Sequence, residues 1–108
     1  MGTPTLGDFE QLVLLALVRL GADAYGVTIC DDIADRTGRD VSLGAVYKTL
    51  ERLETKGLIA SRLGEPTPER GGRRKKHFKL AAAGQRALKE SIGGLRSMTE
   101  GLDADFRL

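Results

Sequence analysis

Apolar positions early in the chain recur at helical spacing. Phe9, Leu12, Val13, Ala16, Leu17 and Leu20 mark one side of a first helix, Asp8 stands where a cap belongs, and Gly21 stops the run. Leu14, Leu15 and Val18 fill the opposite side, so this helix is apolar nearly all round and needs cover on two sides. A chain of 108 residues supports one modest core. The second cover is therefore expected from another subunit.

The pattern predicts a second helix over residues 26–36, with Ile29, Cys30, Ile33 and Ala34 inward and Thr37-Gly38 closing it. Arg39-Asp40-Val41 reads as a short connector, and Ser42 as the cap of a third helix whose inward positions are Val46, Leu50 and Leu53. Gly57 ends that helix. Two short helices with a tight connector fit a helix-turn-helix, though many helical pairs share the spacing.

The period then changes. Residues 58–63 have strand character with Ile59 and Leu63 on one face, and residues 76–80 alternate Phe78 and Leu80 against His77 and Lys79. Between them, residues 64–72 are rich in Gly and Pro and too long for a tight turn, so the pair reads as a hairpin with an extended tip, a wing. Residues 81–106 return to helical spacing. Leu88, Ile92, Leu95, Leu102 and Phe106 fall at steps of four and three with Thr99 between, a seam of the kind that pairs helices. A plain amphipathic helix lying on its own domain fits that pattern equally well. Gly93-Gly94 interrupts it and marks a bend or a close approach.

The predicted fold is thus mainly α with a small β wing (α+β): a winged helix-turn-helix over residues 6–80, then a C-terminal dimerisation helix over 81–108. Hydrophobic residues are 41% and charged residues 30%, an ordinary globular balance. No apolar run approaches membrane-spanning length, and the N-terminus lacks the basic start and cleavage site of a signal peptide, so a cytoplasmic location without membrane association is expected. The single cysteine, Cys30, excludes an internal disulfide.

A formal net charge of +2 is too small to decide anything, but its distribution is informative. Acidic residues dominate up to Asp35, whereas Arg70, Arg73, Arg74, Lys75, Lys76 and Lys79 form an all-basic segment. Such a stripe can face phosphate while the rest of the molecule stays neutral or acidic. With Val46, Leu50 and Leu53 inward, Gly44, Lys48, Arg52 and Thr55 turn outward with Ala45 beside them. Small residues at the helix start admit its backbone to a major groove, where Lys48 or Arg52 can reach guanine edges or phosphates, and Ser42 and Thr49 can donate to phosphate. Alone, that face would read as a solvated surface; the basic wing beside it favours double-stranded DNA. Tyr47 lies on the flank of the same helix, where its ring can pack under the wing or merely close the boundary. Arg73, Arg74, Lys75, Lys76 and His77 exceed what protection of a sheet edge requires, and are assigned to DNA.

Catalytic roles find no support. His77 and Cys30 are each the sole residue of their type and fall in separate elements, which leaves no zinc set and no Cys–His nucleophile pair. Asp31, Asp32 and Asp35 read as a solvated helix face. No glycine loop for a phosphate cofactor opens a helix after a strand, and no cofactor is expected.

The order of elements, and the residues on them, resemble the PadR family of bacterial regulators. The resemblance rests on Tyr25-Gly26, on residues 42–47 (Ser-Leu-Gly-Ala-Val-Tyr), on residues 50–59 running into the wing, on residues 72–80 and on Gly84, and it covers about residues 6–88. It implies a dimeric regulator, usually a repressor, on a near-palindromic operator, with the last helix of one subunit on the first helix of its partner. For that contact the expected residues are Phe9, Val13, Leu14, Val18, Leu88, Ile92, Leu95, Leu102 and Phe106. Ala81 departs from the threonine that often caps the family's last helix, and only one helix follows the wing. Some relatives bind aromatic drugs through tryptophan; this chain has none, and a small-molecule effector stays open. A winged-helix protein-interaction module is the alternative.

Overall fold

A computed structural model describes residues 5–64 and 74–108. The greater part of the wing tip, with Arg70 and Arg73, lies outside the described residues. Within them the order is α1 (Asp8–Leu20), a 3-10 turn (Gly21–Asp23), α2 (Gly26–Thr37), α3 (Leu43–Thr55), β1 (Ile59–Leu63), β2 (Lys76–Leu80) and α4 (Ala82–Thr99). Three helices pack around one core, the antiparallel β1–β2 hairpin closes one edge, and the first turns of α4 lie across α1 and β2.

The helix ends follow from local chemistry. Gly7, not Asp8, caps α1: the Glu10 carboxylate reaches back and accepts from Gly7 N at 2.9 Å. Asp8 enters the first turn instead and pairs with Arg39 at 2.6 Å. Ser42 caps α3 as expected, its Oγ accepting from Ala45 N at 3.1 Å. At the other end, Leu58 N donates to Leu53 O and Gly57 N to Glu54 O, a Schellman closure that requires the left-handed backbone Gly57 supplies (φ 75°). That closure consumes Leu58, so β1 starts one residue later than the sequence suggests.

The hairpin register pairs Ile59 with Leu80 and Leu63 with Lys76. Tyr25 bridges to His77, and Phe78 N donates to Ala24 O at 2.9 Å, which ties the wing to the start of α2. The core joins Val13, Leu14 and Leu17 to Ile29, Ile33, Val46, Leu50, Leu53, Leu58, Ile59, Phe78, Ala87 and Leu88. Gly84 lets α4 dock: a Cβ there would stand 1.9 Å from the carbonyl oxygen of Leu58.

Two expectations about subunit contact need correction. Both sides of α1 are covered largely from within the chain, and Val13, Leu14 and Leu88 are buried in its own core, so none of the three is open to a partner. Of the large apolar residues on that helix, only Val18 remains well exposed, at 58%. The helical seam is also shorter than expected. α4 stops at Thr99, whose hydroxyl donates to Arg96 O, and Gly101 takes a left-handed backbone (φ 82°) before a turn in which Asp105 N donates to Asp103 Oδ1. Leu102 and Phe106 therefore lie beyond the helix, both exposed. Across Gly93-Gly94, α4 runs on as helix, with no described residue outside its own neighbouring backbone within 4 Å of either Cβ position.

Candidate nucleic-acid interface

α3 presents the face its periodicity demands. Val46, Leu50 and Leu53 are buried, while Gly44, Ala45, Lys48, Arg52 and Thr55 are exposed. Thr49 is the exception among the expected contacts. It is 3% exposed, on the core side of the stripe, and its Oγ accepts from Arg52 Nη2 at 3.3 Å. A phosphate cannot reach it, which corrects its assignment. Ser42 is exposed, and its cap leaves the hydroxyl proton free to donate.

The two cations on the α1 side of α3 are partly held. Glu10 is nearly buried and accepts from Lys56 Nζ at 2.9 Å, with Arg52 Nε 4.0 Å away. Burial alone would raise the pKa of this carboxyl, but the Gly7 amide, Lys56 and Arg52 outweigh it and bring the value below the ordinary 4.5. The fixed carboxylate therefore sets where Arg52 and Lys56 sit at the end of α3. Lys48, one turn earlier, has no such anchor among the described residues and is exposed. Lys48, Arg52 and Lys56, with Glu51 and Thr55, line an open depression along the helix.

On the other flank, Tyr47 is 47% exposed and its ring tip lies over Gly26, where a Cβ would meet the hydroxyl and Cζ at 2.4 Å. A second depression runs from Tyr47 to Lys76 and Phe78, so the ring does lie beside the wing. Lys76 Nζ is 3.7 Å from Glu54 and stands over the Phe78 ring; Glu54 also accepts from Ser61 Oγ. Lys75 goes the other way, with Nζ 4.5 Å from the centre of the Tyr25 ring and 3.3 Å from its hydroxyl. His77 meets Tyr25 edge-on at 5.4 Å. Arg74 is exposed. The wing base thus splits its charge, Lys76 toward α3 and Lys75 toward α2.

Three contributors went unassigned in the sequence. Lys56 continues the stripe of Ala45 and Arg52 at helical spacing and could have been found that way. Glu10 reads as one more exposed charge on an apolar helix until the fold brings α3 over it, 46 positions on. Tyr25 enters the sequence reading only with Gly26 in the family resemblance, yet it is the platform for Lys75 and His77. Cys30 is half-buried, its thiol donates to Val41 O at 3.4 Å, and burial followed by the nearby Asp31 pushes its pKa up. Among the described residues no cluster of His, Cys, Asp or Glu could hold a metal ion, and no helix is long and apolar enough to cross a membrane.

A helix-turn-helix whose second helix is bare on its outer face, followed by a two-stranded wing and one further helix, defines a winged helix-turn-helix protein. The chain belongs to the PadR-like family of transcriptional regulators, whose family model matches residues 14–90. No curated protein matches it by sequence. Among solved structures it is similar to a PadR family transcription regulator from Clostridium difficile R20291. That likeness has 28% identity and a TM-score of 0.72, over 87% of this chain and 93% of the other. A PadR family regulator from Eggerthella lenta is also 28% identical, with a TM-score of 0.64 over 85% and 78% of the two chains. A PadR-like transcription factor from Bacteroides fragilis shares the fold at 24% identity and a TM-score of 0.70, over 85% and 84%.

Proposed function

We propose that this protein is a sequence-specific DNA-binding repressor that acts as a homodimer on a near-palindromic operator. The carrying observation is that the exposed face of α3, small at Gly44 and Ala45 and cationic at Lys48 and Arg52, lies beside the wing base, where Lys76 reaches Glu54 of α3 while Lys75 turns to α2. In this reading α3 enters the major groove, Lys48 reaches base edges, and Ser42, Tyr47 and the wing cations hold the flanking phosphates. Arg52 and Lys56 contact phosphate from the position Glu10 gives them. Membership of a family of transcriptional regulators supports a regulatory rather than catalytic role.

The homodimer is supported by apolar side chains left open on α1 and the outer part of α4. Val18, Leu95 and Met98 are 58%, 50% and 78% exposed, with Ile92 half-buried behind them. A partner's helix laid there would cover them, with Phe9 at the margin and Leu102 and Phe106 contributing from the turn beyond α4. Two such subunits place two α3 helices in successive major grooves, with half-sites about 10 bp apart. Residues 6–80 then form the DNA-binding unit and 81–108 the dimerising one, the protein acting in the cytoplasm without a cofactor.

A mobility shift against the DNA upstream of its own gene, with a scrambled competitor, tests the reading. Retardation that only the specific competitor removes is expected. Absence of retardation, or smearing that both competitors abolish alike, would contradict it and favour a protein-docking role.

A further inference from the structure

α3 carries two carboxylates with different fates. Glu54 turns to the wing, where Ser61 and Lys76 engage it. Glu51 is exposed and makes no hydrogen bond or ion pair with any described residue. It stands on the ridge between the two depressions, with Arg52 and Lys56 on one flank and Tyr47 and Lys76 on the other. Gly44, Lys48, Glu51 and Thr55 follow one another at steps of four, three and four, so Glu51 lies in the middle of the outward stripe.

A carboxylate there weakens attraction for any polyanion. Where a helix lies in a major groove, however, its flanks face the phosphate rims and the middle of its outward stripe faces the base edges. A carboxylate can only accept, so its partner at the groove floor must be an exocyclic amino group. Cytosine offers its N4 amino group; guanine and thymine offer acceptors at the corresponding place, and adenine sets its N7 acceptor beside the N6 donor, against the second carboxylate oxygen. We infer that Glu51 is a specificity-determining residue that selects a cytosine in each half-site and rejects the other three bases. This rests on the proposed entry of α3 into the groove.

The test is selection of the full chain against a random-sequence duplex pool, followed by affinities for the recovered site and its single-base variants. Wild type should recover a motif with one cytosine per half-site whose replacement weakens binding roughly tenfold or more. Glu51→Ala should recover the same motif with that position indifferent. Glu51→Gln should prefer adenine there, because an amide can pair with N6 and N7 together. Both variants should bind unrelated DNA more tightly than wild type. If both recover the wild-type motif with its cytosine intact, Glu51 reads no base and the inference fails while groove entry stands. If wild type recovers no motif, groove entry fails and the inference with it.

Discussion

Glu10 at the start of α1 accepts a 2.9 Å hydrogen bond from Lys56 at the end of α3, although 46 positions separate them. Glu10 is 7% exposed and its carboxylate also accepts from the amide of Gly7, so one side chain caps a helix and clamps a second helix to it. Because its pKa is lowered on folding, its contribution is fully present above the ordinary value of 4.5 and fades as pH falls through the lowered one. Glu10→Gln keeps an acceptor for Gly7 but loses the negative charge that faces Lys56, which should cost about 1 kcal/mol at neutral pH. Urea unfolding from pH 3 to 7 should show a flatter acid limb in the variant; an unchanged pH profile would show that the pair contributes nothing.

Gly84 sits where an added Cβ would be 1.9 Å from the Leu58 carbonyl oxygen, with backbone on both sides of the contact. An ordinary Gly→Ala change inside a helix stabilises it by about 1 kcal/mol. Here α4 must lift from the hairpin, and Gly84→Ala should destabilise by about 3 kcal/mol, lowering Tm by more than about 10 °C. The sign of the shift decides between the two.

Ala81 caps α4 in an extended conformation (φ −80°, ψ 166°) without any side-chain acceptor. A serine hydroxyl at that position can accept from the free amides of the first turn. Ala81→Ser should therefore raise stability by about 0.5–1 kcal/mol, read as a higher Tm. A lower Tm would mean that the site lacks room for the hydroxyl.

The helix-turn-helix and the wing were legible because their signals are local. Ser42 and Gly57 bracket α3, and Phe78 and Leu80 alternate with His77 and Lys79. Periodicity could not say which apolar side of α1 the chain itself covers, so Val13 and Leu14 were assigned to a partner although the fold closes over both. Leu102 and Phe106 kept the helical spacing past the point where Gly101 turns the chain. At the interface, Lys48 and Arg52 followed from the stripe, but Thr49 lies one step round the helix into the core. Glu10 and Tyr25 act only through contacts distant in sequence, with Lys56 and Lys75, which no local pattern reveals.

Gly26 and Tyr47 supply a test that separates stability from recognition. The three nearest atoms to a Cβ at residue 26 all belong to the Tyr47 ring tip, the closest at 2.4 Å, and that ring can swing outward. Gly26→Ala should leave Tm within a few degrees of wild type, while DNA affinity falls several-fold as the displaced ring obstructs the face of α3. A large loss of stability with intact affinity in the surviving folded protein would show that the ring is structural only.

The most direct test of the central claim is the salt dependence of DNA affinity, comparing wild type with Arg74→Ala/Lys75→Ala. If the wing base grips phosphate, the slope of log affinity against log salt should flatten by about 0.9 for each phosphate contact removed, and affinity at low salt should fall on specific and unrelated DNA alike. An unchanged slope and an unchanged affinity would mean that the basic wing does not face the duplex.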